Sequence, residues 1–376
     1  MAASQLPEIN GNPAALAFDR AVDELRRGRV IQVTDGTHGV LVAAIETLQA
    51  PLFARLLAAG GGRATMLVTA ERALAAGLSR QLSGPVAVAF PPGIDIERLR
   101  ALAGVTGAAP FDSAAFDVDQ TPPDAELVAA AFQLAKAGRL VPALIGLATD
   151  GRSAADVLTI AVANVVDHAP RFGYHALQLI SRARVPLADA LDSEIAVFRD
   201  DHSLAEHVAV VIGKPNTDSA VPVRLHSACL TGDLLASLRC DCGEQLRTAV
   251  ARIAALGGGV LLYLDQEGRG IGLPNKLRAY VLQDGGLDTL DADQHLGFLA
   301  DERSYDVAAA LLHELGIKRI RLLTNNPQKI SALRDHSIEV VGRLPLLTAS
   351  NAHNERYLRA KHERAGHLTL ADESSG

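Results

Sequence analysis

The chain has no tryptophan, and aromatics make up only 4% of its 376 residues. Its core must therefore be aliphatic, and a hydrophobic content of 48% supplies the material for one. A basic surplus is missing as well. The formal net charge of −7 argues against a general nucleic-acid binder, which would be basic, but leaves room for a local basic pocket around a small anion. No uninterrupted apolar run reaches the roughly 18 residues of a membrane span. The opening Met1-Ala2-Ala3-Ser4-Gln5-Leu6-Pro7 lacks the basic start and apolar stretch of a secretory signal. A cytoplasmic protein with neither membrane nor nucleic-acid partners is expected. Cysteine is scarce too: there are three, all within residues 229–242. A secreted disulfide framework would carry more of them, spread along the chain. Three thiols this close point instead to a metal.

The length exceeds one average domain, so two are expected. Residues 1–13 are polar and read as a loose arm. Apolar spacing predicts a helix from Ala14 to Arg27, ended by Gly28. Short strands follow at Val30–Val33 and Val40–Ile45, separated by the turn Thr34-Asp35-Gly36-Thr37. A helix from Ala50 to Ala59 and a strand at Ala64–Val68 continue the alternation. Composition changes over Ser181–Asp192, which sets the expected boundary: one domain at 1–185, a second at 186–376. In the second, Glu206–Gly213 reads as a strand. Val223-Arg224-Leu225-His226 alternates apolar and basic, so Arg224 and His226 should share one strand face. A helix at Glu244–Leu256, a buried strand at Val260–Leu264 and a strand at Arg319–Leu323 precede Asn325-Asn326-Pro327, where proline suits the first turn of a helix. The expected fold class is α+β: two mixed α/β domains, each with a mixed sheet flanked by helices.

Chemistry concentrates in the second domain. Ten residues separate Cys229 from Cys240 and one separates Cys240 from Cys242. Three thiolates with an open position match a catalytic zinc, completed by water. His226 is the alternative fourth ligand, which would make the site structural; three unligated core cysteines are the plainer alternative. Glu267-Gly268-Arg269-Gly270-Ile271-Gly272 follows a strand, with glycines for close backbone approach to a phosphate and Arg269 for a fork of donors. By itself such a turn is equally an ordinary tight turn. Thr324 and Lys329 flank a helix start suited to phosphate. Asp301-Glu302-Arg303, read alone, is a charge cluster at a helix start.

Together these segments resemble GTP cyclohydrolase II. The matching stretches are RLHSACLTGDLLASLRCDCGEQL (Arg224–Leu246), QEGRGIGLPNKLRAYVLQDGGLDT (Gln266–Thr289), LGFLADERSYD (Leu296–Asp306) and LLTNNPQK (Leu322–Lys329), with NERYLRAKHERAGH near the end. The resemblance implies hydrolysis of GTP to 2,5-diamino-6-ribosylamino-4(3H)-pyrimidinone 5′-phosphate, formate and pyrophosphate, at the start of riboflavin synthesis. It implies Cys229, Cys240 and Cys242 as ligands of one zinc per subunit, where activated water opens guanine at C8. It assigns Arg303 to the α-phosphate, Asp301 as the proton acceptor beside it, and Tyr280 near the zinc. Arg224, Leu225, His226, Ser227, Ala228, Gln245, Glu267, Gly268, Arg269, Thr289, Thr324 and Lys329 are the implied GTP contacts. Magnesium would bridge the triphosphate, and a homodimer is implied. An arginine is held protonated, so a clamp on phosphate is physically easier for Arg303 than a nucleophile's part. Two positions depart from the family: Ala228 stands where a glutamate is usual, and Asp265 where a basic or neutral residue is. Ala228 invites the alternative of a variant that retains the formyl group or releases only pyrophosphate; a GTP-binding regulator that has lost turnover is the alternative from another class, and the intact Asp301, Arg303 and Tyr280 argue against it.

In the first domain, LRRGRVIQVTDG (Leu25–Gly36) and AFQLAKAGRLVPALIGLATDG (Ala131–Gly151) resemble 3,4-dihydroxy-2-butanone-4-phosphate synthase. That family's acidic, magnesium-binding run is replaced here by Thr34-Asp35-Gly36-Thr37-His38-Gly39, with one carboxylate. Its His-Thr-Glu-Ala segment is Asp124-Ala125-Glu126-Leu127. One acid cannot assemble the oxygen-rich shell a divalent cation needs. The domain is read as a degenerate, non-catalytic relative.

Overall fold

The structure, a computed structural model, describes residues 12–78, 84–89, 93–106, 117–119, 122, 124–152, 156–168, 177–200, 205–346 and 354. The chain divides into two compact units. The first takes Met1–Pro170 with Leu277–Leu287 and Asp291–Ala300; the second takes Arg171–Lys276, Asp288–Leu290 and Asp301–Gly376. Both are mixed α/β, as the sequence predicts.

The first unit contains β1 (Ile31–Thr34), β2 (Gly39–Ala44), β3 (Thr65–Val68), β4 (Val86–Ala89), β5 (Asp117–Asp119), β6 (Ala143–Thr149) and β7 (Leu158–Ala161). They form one sheet in the order β5-β4-β3-β6-β2-β1-β7. Only β1 and β7 pair in parallel; the other neighbours are antiparallel. Helices α1 (Pro13–Arg26), α2 (Ala50–Gly60), α3 (Ala70–Ala75), α4 (Ile96–Leu102), α5 (Ala125–Ala137) and α6 (Val162–His168) complete it. The side chain of Asn12 accepts from the Ala14 N–H, and Pro13 takes the first turn of α1, where its missing N–H costs nothing. The rest of the expected arm lies outside the described residues. Strand alternation is plain in β2: Val40, Val42 and Ala44 enter one core cluster, while Ala43 and the following Ile45 enter the other. The sheet is thus buried on both faces.

Two segments from late in the sequence belong to this unit. Arg72, 2% exposed, donates to the carbonyls of Leu102 and His295, and the Thr69 hydroxyl donates to the Gly297 carbonyl at 2.9 Å. Arg278 donates to Glu46 at 2.9 Å and to the Val105 carbonyl.

The second unit contains β8 (Leu177–Arg184), β9 (Ser193–Asp200), β10 (Glu206–Gly213), β11 (Val221–Ser227), β12 (Gly258–Leu264), β13 (Arg319–Leu323) and β14 (Glu339–Leu344), in the order β14-β13-β11-β12-β10-β9-β8. β14, β13, β11 and β12 run parallel, and β10, β9 and β8 continue antiparallel. Helices α7 (Cys242–Ala255), α8 (Leu273–Asp284), α9 (Thr289–His295), α10 (Asp306–Glu314) and α11 (Pro327–Asp335) follow in chain order; α8 and α9 each run from this unit into the first. β8 falls within the residues that composition assigns to the first domain. It pairs antiparallel with β9, so it belongs to the second sheet. Val223 and Leu225 of β11 join a cluster with Val260, Leu262 and residues of α10; Leu261, Val210 and Ile212 join Ala249 and Ile253 of α7 on the other face. Among the described residues, no helix is long and apolar enough to cross a membrane.

Candidate active site

The implied site residues of the second unit gather where β11, β12 and β13 end, at the carboxyl edge of the parallel strands, where open α/β sheets place their ligand crevices. β11 ends at Ser227, two residues before Cys229. After β12 comes the tight turn Glu267–Gly270, and β13 leads through Thr324 to the start of α11, which carries Lys329.

The three cysteines converge. Their sulfurs all lie within 4.8 Å of one another, and this is the one such group of His, Cys, Asp or Glu ligand atoms among the described residues. Cys229 and Cys240 are buried, with sulfurs 3.7 Å apart. Tetrahedral zinc with Zn–S bonds of about 2.3 Å would space its sulfurs about 3.8 Å apart. Cys242 is the first residue of α7, where the helix dipole favours a thiolate. Between the ligands, Leu230–Leu234 forms a wide π-type turn. At its centre, a Cβ on Gly232 would lie 2.7 Å from the Cys240 sulfur and 3.0 Å from that of Cys229. The donor set, its spacing and this glycine-lined cradle fit a zinc ion.

His226 does not join that group. Its Nε2 sits 3.0 Å and 3.1 Å from the two carboxylate oxygens of Asp233. A carboxylate only accepts, so Nε2 carries the proton. Burial holds the imidazole below its usual pKa against the pull of Asp233, so the ring is neutral, and Nδ1 is buried without a partner. Asp233 also accepts from the Cys229 N–H and from the Tyr263 hydroxyl, each at 3.0 Å. One carboxylate thus fixes the ligand loop to two strands. This corrects the alternative of His226 as fourth ligand.

Arg224 shares the face of His226, as strand alternation predicts, and both are buried. Its guanidinium donates to the Leu323 carbonyl at 2.9 Å and to Gln245 Oε1 at 2.6 Å; Nε has no partner. Burial lowers its pKa to about 10, still a cation at neutral pH. Gln245 donates in turn to Asp241. Glu267 has both oxygens taken: Oε2 accepts from the Leu230 N–H at 2.6 Å, and Oε1 from Lys276 Nζ at 2.7 Å. Gly268 and Arg269 take left-handed φ values of 63° and 61°. Gly270, at φ 96°, runs so close to Glu302 that a Cβ would meet its carbonyl carbon at 3.1 Å, while the Glu302 N–H donates to the Arg269 carbonyl. Only glycine suits residue 270, and the two loops are locked side by side.

Arg303 grips Asp301 with two parallel bonds, Nε to Oδ1 at 2.8 Å and Nη2 to Oδ2 at 2.5 Å, and reaches Ser227 Oγ at 3.5 Å. Burial raises the Asp301 carboxyl, but the hydrogen bonds and charge of Arg303, with the charge of Arg269, outweigh it and leave the pKa lowered. Lys329 donates to the Leu225 carbonyl at 2.9 Å. Arg303 and Lys329 lie 5.6 Å and 5.7 Å from the ring centre of Tyr305, a cation–π platform under both. Thr324 Oγ1 accepts from the Asn326 N–H and shapes the entry to α11. Leu225 is a core residue, and the Ala228 N–H donates to the Leu264 carbonyl. Tyr280 lies on the part of α8 that belongs to the first unit, and Thr289 opens α9. Of the closing stretch at residues 354–367, only Asn354 is described.

Gly232, Asp233, Tyr263, Lys276 and Tyr305 are missed by sequence reasoning. The signal for the first two was the polar break Thr231-Gly232-Asp233, one residue beyond Cys229. The others sit in segments that read as ordinary strand, helix and loop.

The sequence model of a family described as GTP cyclohydrolase II matches residues 178–345. A protein named GTP cyclohydrolase-2 from Azospirillum brasilense is 43% identical over 369 residues, covering 94% of both chains. Another of that name from Xylella fastidiosa is 39% identical over 368 residues, 96% of this chain and 89% of its own. A third, from Shewanella amazonensis, is 53% identical over 171 residues, 46% of this chain and 83% of its own. Among solved structures, a two-domain 3,4-dihydroxy-2-butanone 4-phosphate synthase from A. baumannii aligns at 17% identity over 88% of this chain and 99% of its own, with a TM-score of 0.31.

Proposed function

The chain belongs to the GTP cyclohydrolase II family, and from that premise we propose that it hydrolyses GTP to 2,5-diamino-6-ribosylamino-4(3H)-pyrimidinone 5′-phosphate, formate and pyrophosphate. The observation that carries this reading is the meeting of three sulfurs with the Arg303–Asp301 pair and Lys329 at one sheet edge. Cys229, Cys240 and Cys242 would hold zinc. When bound, zinc supplies Lewis acidity, enough to make water nucleophilic near neutral pH. Water adds at C8 of guanine to open the imidazole ring, a second water releases the carbon as formate, and a third cleaves the bond between the α- and β-phosphates.

The chain's own groups orient these steps. Arg303, preset by its fork on Asp301, is the clamp for the α-phosphate, where negative charge builds as pyrophosphate leaves. Lys329, held against the Leu225 carbonyl in the first turn of α11, offers a cation to the distal phosphates. Arg224 and Gln245 are the contacts for guanine or ribose. Magnesium enters with the triphosphate.

The test is to incubate the purified chain with GTP and follow formate, pyrophosphate and the mass of the product. Formate should appear, Cys240→Ser should abolish it, and Arg303→Ala should cut pyrophosphate release by about 100-fold or more. Formate release persisting in Cys240→Ser would refute the metal assignment. A product that retains the formyl group would point to the variant that Ala228 invites, and GTP binding without turnover to a regulator.

A further inference from the structure

Lys276, near the start of α8, is 9% exposed, which is costly for an ammonium unless its donors are filled. All three are: it donates to Cys229 Sγ at 3.1 Å, to Thr231 Oγ1 at 3.0 Å and to Glu267 Oε1 at 2.7 Å. The carboxylate that fixes the ammonium also receives the Leu230 N–H, so Lys276 and Glu267 grip the same loop by sulfur, hydroxyl and backbone. The Cys229 sulfur accepts a second bond, from the Gly232 N–H at 3.3 Å. The sulfur of Cys229 therefore faces a fixed cation before any metal arrives.

Charge balance gives this contact a purpose. Three thiolates outnumber the charge of a divalent ion, and the loaded trio remains negative. A cation hydrogen-bonded to one sulfur favours the loaded state. It also draws electron density from that sulfur, so the ion keeps more of its positive charge. Resting on the zinc reading above, we propose that Lys276 is a positioning residue of the metal centre, whose ammonium orients the Cys229 sulfur and balances the trio's charge, raising both zinc retention and the Lewis acidity of the ion.

The test uses the full-length chain, stripped of metal and reloaded with Zn2+ alone or Co2+ alone, with no nucleotide. In competition with a chelator, Lys276→Met should weaken zinc retention by about 10–100-fold. In the Co2+-loaded protein, the thiolate-to-cobalt charge-transfer band should move to lower energy, because the sulfur loses a hydrogen bond. A merely structural lysine would not move that band. Lys276→Arg, which keeps a cationic donor, should recover part of both effects, and Lys276→Gln, a neutral donor, should fall between Arg and Met. These two variants carry the test if Lys276→Met does not fold. Zinc retention within twofold of the parent and an unmoved band across the folded variants would overturn the proposal. A parent chain that takes up no zinc would overturn the functional reading itself, a separate result.

Discussion

A single hydrogen atom at residue 232 keeps the three sulfurs together. The Cβ of an alanine there would press on the sulfurs of Cys240 and Cys229 and, at 3.0 Å, on the Cβ of Cys242. No flexible side-chain end is available to yield, since these are short groups, those of Cys229 and Cys240 buried and that of Cys242 at a helix start. Gly232→Ala should therefore cost at least about tenfold in zinc affinity, since ligand geometry is what it disturbs. Bound zinc per chain, measured after dialysis against a weak chelator, checks this. Full zinc occupancy in the variant would sink the claim that the turn needs glycine. The residue scale is also where the sequence spoke most clearly. Cys229, Cys240 and Cys242 could be singled out because cysteine is so rare here. Lys276 could not, because a lysine at the start of a helix is ordinary until its partners are known.

At the scale of elements, local pattern and final structure agree well wherever burial sets the pattern. β10 and β13 have the bounds that their apolar runs predict, and α1 differs by one residue at each end. β8 pairs with β9 across the expected boundary at residue 185, because pairing is a long-range matter that local composition does not encode. The segment after α9 is similar: its attachment to the first unit rests on Arg72 and Thr69 bonding to backbone carbonyls, which any sequence would offer. That attachment has a measurable signature. Burial first, and the charge of Arg72 second, lower the His295 imidazole to about 4 from an ordinary 6.5. The folded form thus holds His295 neutral, while an unfolded chain takes up a proton once the pH drops below about 6.5. This stability is fully present above the unfolded value and is lost as pH falls toward the folded one. The urea midpoint for the first unit should therefore decline between about pH 7 and about pH 5, and His295→Gln should flatten the decline. A midpoint equally steep in the variant would refute it.

At the scale of the whole molecule, the question is whether the chain carries one activity or two. The loop that would bind magnesium in a working synthase has a single carboxylate, Asp35, and it is engaged locally: Oδ1 accepts from the N–H groups of Thr37 and His38, each at 2.7 Å. Those backbone bonds, from His38 and then Thr37, lower its pKa. It acts as the closing group of a turn, and we propose that the first unit carries no synthase activity. The full chain with magnesium should leave ribulose 5-phosphate unconsumed under conditions where GTP is turned over. Consumption of the sugar phosphate would overturn the degenerate reading of this unit.

The order of residues alone determined the aliphatic core, the two mixed sheets, the three metal-seeking thiols and the family they belong to. These depend on composition, on short-range periodicity and on rare residues in a fixed order, all of which survive reading the chain one residue at a time. Tertiary structure decided which neutral or charged partner each buried group would have: Asp233 for His226, Lys276 for Cys229, Arg72 for the carbonyl of His295. Such choices depend on distances across the fold, where burial makes one hydrogen bond decisive, and no local pattern in the chain announces them.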